Sequence, residues 1–121
     1  IAFFDRPDTR LMTIQFHDTL QGRKVPIEPL EEGKVTMYLC GPTVYNFAHI
    51  GNAQPAVVFD LLARILRRRY QLTFARNITD VDDKIIAASS ETGKPIGYIT
   101  AMFTKAYTVD MAAMVVQPPD I

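Results

Sequence analysis

The sequence predicts an α/β fold whose centre is a β-strand, a long helix and a second β-strand. Three runs indicate it: β-branched and aromatic residues from Val35 to Leu39, an apolar repeat at helical spacing from Ala56 to Tyr70, and a second strand-like run from Leu72 to Ile78. Two strands joined by a crossover helix pair in parallel, with a right-handed connection. The chain has 121 residues and is expected to form one domain, residues 1–121.

A small β element is predicted ahead of this unit, within residues 1–34. Leu11 to His17 alternates weakly between apolar and polar side chains, which favours a strand, and the stretch TLQGRK supplies a glycine-containing turn. This pattern predicts a hairpin or an edge strand. His17 has no Cys or His neighbour in the sequence, so we expect it to lie at the surface.

The long helix is predicted with Pro55 in its first turn, where the missing N–H breaks no intrahelical hydrogen bond. Its C-terminal arginines, Arg67 to Arg69, oppose the negative end of the helix dipole. Arginines at such an end can contact nucleic-acid phosphates, but they more often stay solvated, and the solvated state is expected here. The face expected to be buried consists of Val58, Leu61, Leu62 and Ile65.

Two helices are predicted after the second strand. The first runs through Ile85 and ends at ETGKP, with Thr79, Asp80 or Asp82 as its cap. Asp80, Asp82 and Asp83 together could instead hold Mg²⁺, but capping and the helix dipole explain acidic residues at a helix start, and capping is the favoured interpretation. The second helix runs from about Ile96 to Met114, and its buried side is expected to carry Ile99, Phe103, Ala106 and Ala113.

Composition limits the classes of function. Thirteen Lys and Arg residues balance thirteen Asp and Glu residues, so the overall positive field of a nucleic-acid-binding protein is missing and any such contact must be local. No apolar run reaches the ~20 residues needed to cross a bilayer, and one cysteine cannot form an internal disulfide. We expect a cytoplasmic protein. Because the chain lacks a first Met and ends soon after Pro118 and Pro119, we also expect a piece of a longer polypeptide.

The turn CGPTVYNFAHIGN, residues 40–52, follows the first strand of the central unit. Ligands of such units bind beyond the carboxyl ends of the strands, where helix N-termini present N–H groups to anions. Gly41 and Gly51 permit a close backbone approach, and His49 can donate to a phosphate. This pattern alone favours a phosphate site and a structural loop equally. Residue type alone favours Cys40 as a small buried side chain over a metal ligand, since zinc needs about four donors.

Two stretches together carry a family resemblance: MYLCGPTVYNFAHIGNAQPAVVFDLLARILRR and, downstream, FARNITDVDDKI. They closely resemble the N-terminal catalytic region of cysteinyl-tRNA synthetases, which are class I enzymes. The resemblance runs from about Leu11 to Ile121 and is densest from Tyr38 to Ile86. It implies a partial Rossmann-type (HUP-like) parallel sheet with flanking helices. It also implies an ATP-dependent ligase that forms cysteinyl-adenylate and passes the cysteinyl group to tRNA(Cys).

The same resemblance implies roles for single residues. Cys40 matches a ligand of a zinc ion that receives the substrate thiolate, which distinguishes cysteine from serine. His49 and Asn52 match the catalytic signature and, with Gly51, face ATP, where donors at a helix start stabilise the charge that grows at the α-phosphate. The expected partners are cysteine, ATP, tRNA(Cys) and the missing C-terminal portion of the polypeptide, with no membrane. The positions that match the cysteine pocket are Gly41, Thr43 and Thr79.

The sequence also departs from the family pattern. Asn52 stands where the signature commonly ends in a second histidine, and Gln54 stands where relatives often carry arginine. The family's other zinc ligands, its second ATP loop of the Lys-Met-Ser-Lys-Ser type and its anticodon-binding region lie downstream of the residues matched here. We therefore expect the 121-residue chain alone to have little or no aminoacylation activity and to hold no zinc firmly.

Two alternatives stay open from the sequence. A ligase that joins cysteine to an amino sugar in mycothiol synthesis shares cysteine activation and the zinc ligand, although the turn is more similar to that of the tRNA enzyme. A free-standing truncated homologue would instead be a binding or regulatory module without catalysis. A reading frame that continues past Ile121 into further zinc ligands and a lysine-rich loop would exclude the module, and an anticodon-binding region would exclude the amino-sugar ligase.

Overall fold

The computed structural model describes residues 13–121, which divide between Leu30 and Glu31 into two compact units. The first unit contains β1 (Gln15–Asp18) and β2 (Arg23–Pro26), which pair antiparallel. The turn between them needs a positive φ of 63° at Gly22, which glycine adopts without steric cost. The predicted N-terminal hairpin and the exposure of His17 are confirmed, while Leu11 and Met12 lie outside the described residues.

The second unit contains β3 (Lys34–Leu39), α1 (Ile50–Leu66) and β4 (Gln71–Arg76). The two strands are parallel, with Leu39 opposite Arg76 at their carboxyl ends. The predicted strand, helix and parallel strand are therefore confirmed. The chain is a mixed α/β protein whose two sheets, in the described part, each have two strands. Two further helices follow, α2 (Asp83–Thr92) and α3 (Ile96–Ala113).

Helix α1 begins at Ile50, so the prediction that Pro55 lies in its first turn is wrong. His49 is the N-cap of the helix. Its Nδ1 accepts from the N–H of Gly51, and the side-chain oxygen of Asn52 accepts from the N–H of His49. Pro55 consequently lies inside the helix and leaves the carbonyl of Gly51 without its usual N–H donor. The helix also ends earlier than predicted, at Leu66.

The buried face of α1 differs from the one that the apolar repeat predicts. Val58, Leu61 and Ile65 are 53%, 60% and 44% exposed. The helix instead packs through small side chains, which let it approach its neighbours closely. One face meets α3 and another meets the sheet, where Phe74 is fully buried against Ala63. The residues of α1 that are buried are Ala53, Ala56, Asp60, Ala63 and Leu66.

Helix α3 packs against two alanines in the N-terminal half of α1. Tyr107 and Met111 pack with Ala53 and Ala56 of α1 in one apolar cluster, which Val116 completes. On α3 the predicted side is partly right, because Ile99 is buried and Phe103 and Ala106 are half-buried, but Ala113 is exposed. In the described part of the chain, no helix combines the length and apolarity that a membrane span requires.

The residues after α3 are held against α1 by ionic side chains. The buried carboxylate of Asp60 accepts from Arg64 Nε at 2.8 Å and from the backbone N–H of Gln117 at 3.1 Å. Arg64 also donates to the carbonyl of Val115 at 2.6 Å, and Val115 itself adopts a positive φ of 61°. A buried carboxylate is costly unless it is paired in this way. Asp60 therefore fixes where the chain goes when it leaves α3.

The final residues run beside β4 with the hydrogen-bond pattern of a parallel ladder. The N–H of Ile121 donates to the carbonyl of Phe74, and the carbonyl of Ile121 accepts from the N–H of Arg76. The carboxylate of Asp120 accepts from the Phe74 N–H at 2.8 Å and from Arg67 at 2.9 Å. The expectation that Arg67 is solvated is thus wrong, because a carboxylate more than fifty residues away pairs with it.

We expect the pairing of Asp120 with Phe74 to weaken in acid. The backbone hydrogen bond from Phe74, together with Arg67, lowers the pKa of Asp120 below its usual 3.8. A carboxyl whose pKa is lower in the folded state stabilises the fold above its unfolded pKa, and this stabilisation is lost as the pH falls through the folded pKa. Amide exchange at Phe74 should therefore speed up in that range. Asp120→Asn should remove this pH dependence, and equal exchange profiles in both proteins would contradict the assignment.

Candidate functional site

The carboxyl ends of β3 and β4 bring two loops side by side. Beyond the strands, Thr43 and Thr79 form a parallel bridge, in which the N–H of Val44 donates to the Thr79 carbonyl at 3.2 Å and the N–H of Thr79 donates to the Pro42 carbonyl at 3.0 Å. The two motifs that the sequence singles out, 40–52 and 74–85, are therefore neighbours in the fold. This is the edge at which open α/β sheets bind ligands.

Gly41 is required by the closeness of these loops. Its N–H donates to Asn77 Oδ1 at 2.7 Å, and a Cβ placed on Gly41 would lie 1.7 Å from the carbonyl oxygen of Asn77. No side chain fits in that gap, so only glycine lets the end of β3 pass the loop after β4. Asn77 also donates to Thr79 Oγ1 at 3.4 Å, which orients its amide.

The start of α1 orients His49 and Asn52 as hydrogen-bond donors. His49 Nδ1 accepts from the N–H of Gly51 at 3.1 Å, so the proton of the neutral ring lies on Nε2. Asn52 Oδ1 accepts from the N–H of His49 at 3.0 Å, which leaves the amide nitrogen with its two hydrogens. Each side chain thus uses its acceptor in the cap and keeps a donor for a ligand. Together with the positive end of the helix dipole, these donors suit an anion.

A cavity of about 180 Å³ lies where the strands end, which we call the strand-end cavity. It opens between the end of β3, the start of α1 and the end of β4, so it collects side chains that are far apart in the sequence. One water molecule needs only about 10–15 Å³, so the cavity can hold a small organic molecule. The residues of its wall on which the chemistry depends are Cys40, Gly41, Gly51, Asn52, Arg76 and Tyr107.

Not all predicted site residues face this cavity. Thr43 lines a neighbouring cavity of about 140 Å³, and Asn52 lines both. His49 lines a third cavity, of about 280 Å³, between the start of α1 and the end of α3. Thr79 is held by its bridge to Thr43. The structure thus gathers Cys40, Gly41, Gly51 and Asn52 at one cavity and places His49, Thr43 and Thr79 around it.

Cys40 is exposed, so the expectation of a small buried side chain is wrong. The thiol follows directly after β3 and lies on the wall of the strand-end cavity, where a ligand can reach it. Across residues 13–121, no group of three or more His, Cys, Asp or Glu side chains is arranged to hold a metal ion. Zinc needs about four donors, so these residues by themselves do not make a zinc site.

The acidic cluster after β4 caps a helix, as the favoured interpretation predicts. The side chain of Asp82 accepts from the N–H of Lys84 at 2.9 Å and is the N-cap of α2, while Asp83 lies in the first turn. Gly93 ends the helix with a positive φ of 66°. This geometry matches a carboxylate that stabilises the positive end of a helix dipole.

Sequence reasoning missed Arg76 and Tyr107, which form one wall of the strand-end cavity. The Arg76 guanidinium lies over the Tyr107 ring, with 5.5 Å from Cζ to the ring centroid. Burial raises the pKa of Tyr107, an effect that the charge of Arg76 partly opposes. One signal was present in the sequence: Arg76 lies near the end of the strand predicted from Leu72 to Ile78, where binding residues of parallel sheets collect. Tyr107 had no signal beyond its place on α3.

A comparison with known proteins adds the family. A family model described as the tRNA synthetases class I (C) catalytic domain matches residues 26–121. Curated relatives named cysteine–tRNA ligase include proteins of Rhodospirillum rubrum (55% identical over 91% of this chain and 24% of the relative) and Maricaulis maris (54%, 92% and 25%). The cysteine–tRNA ligase of Xanthomonas campestris is 57% identical over 91% of this chain and 24% of the length of that relative. The chain spans about a quarter of the length of these relatives, and it belongs to the class I (C) tRNA synthetase catalytic domain family.

Proposed function

We propose that this chain is the N-terminal part of the catalytic domain of a cysteine–tRNA ligase, with residues 1–34 as its leading β element. The observation that carries the proposal is the strand-end cavity, where Cys40 and Gly41 at the end of β3 meet the donor-presenting start of α1. The names of the relatives support the choice of amino acid and tRNA. The parallel β3–α1–β4 unit supports a Rossmann-type sheet, of which these strands would be two.

The proposed reaction has two steps. A carboxylate oxygen of cysteine attacks the α-phosphorus of ATP, the bond to the bridging oxygen breaks, and pyrophosphate leaves with its electron pair. The adenosine hydroxyl at the end of tRNA(Cys) then attacks the acyl carbon and releases AMP. In the first step, charge grows on the α-phosphate oxygens. Donors fixed before the reaction stabilise such charge without reorganisation, which is the role proposed for His49 Nε2, the Asn52 amide and the backbone at Gly51.

The cysteine pocket is proposed at Gly41, Thr43 and Thr79, with the thiol directed toward Cys40. The bridge between Thr43 and Thr79 supports this, because it fixes two hydroxyl-bearing loops beside the strand-end cavity. Gly41 lies on the cavity wall itself, next to Cys40. The residues of both loops would recognise the small, polar backbone of an amino acid.

Zinc belongs to this proposal only through Cys40. A thiolate is a good zinc ligand and is exposed here, but the remaining donors would have to come from other parts of a longer polypeptide. When bound, zinc would supply a soft site that prefers a thiolate to a hydroxyl and so separates cysteine from serine.

Cys40→Ser in the complete polypeptide should remove zinc and weaken cysteine binding together. Even partners outside the first ligand shell change metal affinity by about 10–100-fold, so we expect the KM for cysteine to rise at least about tenfold. Because Cys40 is exposed, thermal stability of this unit should change little. Metal analysis and cysteine titration of both proteins measure this, and unchanged zinc content with unchanged KM would refute the ligand role.

Cysteine-dependent ATP–pyrophosphate exchange tests the function directly. The complete polypeptide should exchange in the presence of cysteine and not of serine, and should then charge tRNA(Cys). Exchange without tRNA charging would instead favour a ligase with another acceptor. No exchange by a folded complete protein would refute the activity. The cytoplasmic location stays a prediction, as do the contacts with tRNA.

A further inference from the structure

Arg76 is half-buried at the end of β4, and one nitrogen of its guanidinium is buried without a hydrogen-bond partner among the described residues. This nitrogen is Nη1, which is inaccessible to solvent. Buried guanidinium nitrogens are normally paired, because desolvating a charge without compensation is costly. Two other arginines of this unit are paired, the exposed Arg64 with the carboxylate of Asp60 and the half-buried Arg67 with that of Asp120. The unsatisfied nitrogen of Arg76 therefore calls for an acceptor.

The surroundings of Arg76 favour an anionic ligand as that acceptor. The guanidinium lies against the Tyr107 ring, which positions it without neutralising it. The described residues that line the strand-end cavity with it include no acidic side chain. Arg76 is also opposite Leu39 in the sheet register, so it ends β4 beside the point where Cys40 follows β3. The strand-end cavity thus offers both the hydrogen-bond donors of a guanidinium and a thiol.

We propose that Arg76 binds the α-carboxylate of the amino-acid substrate in the strand-end cavity. The inference rests on the proposed function and adds a binding residue to it. A guanidinium matches the two oxygens of a carboxylate with parallel hydrogen bonds, a geometry that an ammonium does not reproduce. With the carboxylate on Arg76 and the thiol toward Cys40, the cavity would recognise both the backbone and the side chain of cysteine. The start of α1 would then lie beside the carboxylate that reacts.

Binding of cysteine and of cysteamine, which lacks the carboxylate, tests the proposal in the complete polypeptide without ATP. Arg76→Gln should weaken cysteine binding by about 10–100-fold, the range for losing charge-assisted hydrogen bonds, and leave cysteamine binding unchanged. Arg76→Lys, which keeps the charge, should weaken cysteine binding less and also spare cysteamine. Arg68→Gln removes an exposed arginine of the same chain and should change neither. Calorimetry measures the affinities, and melting curves check the fold.

Several outcomes would overturn the proposal. If Arg76→Gln binds cysteine like wild type, the carboxylate is held elsewhere. If cysteamine binding falls equally, Arg76 acts by holding the fold through Tyr107. If a separate titration with ATP shows that only ATP binding falls, the acceptor of Arg76 is a phosphate. Should Arg76→Gln fail to fold, Arg76→Lys decides by the same comparison. A wild-type protein that binds no cysteine overturns the proposed function as well, whereas cysteine binding insensitive to Arg76 overturns this inference alone.

Discussion

Replacing His49 with alanine in the complete polypeptide is expected to slow ATP–pyrophosphate exchange by about 10²–10³-fold, the effect of removing one preorganised donor to a transition-state oxyanion. The cap at the start of α1 is the physical reason. Nδ1 of His49 accepts from the N–H of Gly51, so Nε2 carries the hydrogen that can point at a ligand. The expected loss falls on kcat more than on the KM for cysteine, because the donor matters most when charge has developed.

His49→Asn separates catalysis from capping. Asparagine is among the preferred N-cap residues, so this variant should keep the start of α1 and its thermal stability while lacking the imidazole donor. A low exchange rate in both variants, with stability lost only in His49→Ala, is the expected result. If His49→Ala exchanged pyrophosphate at the wild-type rate, the catalytic role would be refuted. If His49→Asn were both active and stable, His49 would serve only as the N-cap of α1.

Gly41→Ala is expected to destabilise the second unit by about 3 kcal/mol or more, the upper end of overpacking costs. The added methyl would lie 1.7 Å from the carbonyl oxygen of Asn77, and a backbone atom cannot yield as a flexible side chain can. To relieve this clash, either the loop after β4 or the end of β3 must move. Both segments lie next to the strand-end cavity, so the cavity would change shape. Denaturant unfolding measures the cost, and cysteine binding should be lost with it.

Gly97→Ala is the matched control. Gly97 lies in the first turn of α3, where an added Cβ meets nothing within 4 Å. The same chemical change should therefore stabilise the protein by about 0.5–1 kcal/mol, through the restricted unfolded chain and the better helix former. If Gly41→Ala were as harmless as Gly97→Ala, the close approach of the two loops would not exist in solution.

The sequence predicted the elements of the fold better than their packing. Val35 to Leu39 and the run after Tyr70 were recognisable as strands because β-branched and aromatic side chains suit a pleated, half-buried surface. The start of α1 was missed because histidine is not among the usual caps, so Pro55 looked like the natural beginning. The buried face of α1 was not predicted because it consists mainly of alanines and a paired aspartate, and these residues contribute little to a pattern of large apolar side chains.

The candidate site shows the same division. The motif positions from Cys40 to Asn52 could be chosen from the sequence because a turn between strand and helix collects them locally. The contact between Arg76 and Tyr107 could not be predicted, since it depends on how α3 packs against α1, which no local pattern encodes. The exposure of Cys40 likewise depends on the tertiary structure and not on residue type.

The attachment of Gln117 to Asp60 has a consequence for how this family can vary. It closes a loop of 57 residues that contains β4, α2 and α3. The entropy of closing a flexible loop rises only logarithmically with its length, so doubling such a loop costs only about 0.6 kcal/mol. The turn at Gly93 and Lys94 is exposed and far along this loop from either anchor. Insertions there can accumulate at little thermodynamic cost, while Asp60 still holds the backbone of Gln117.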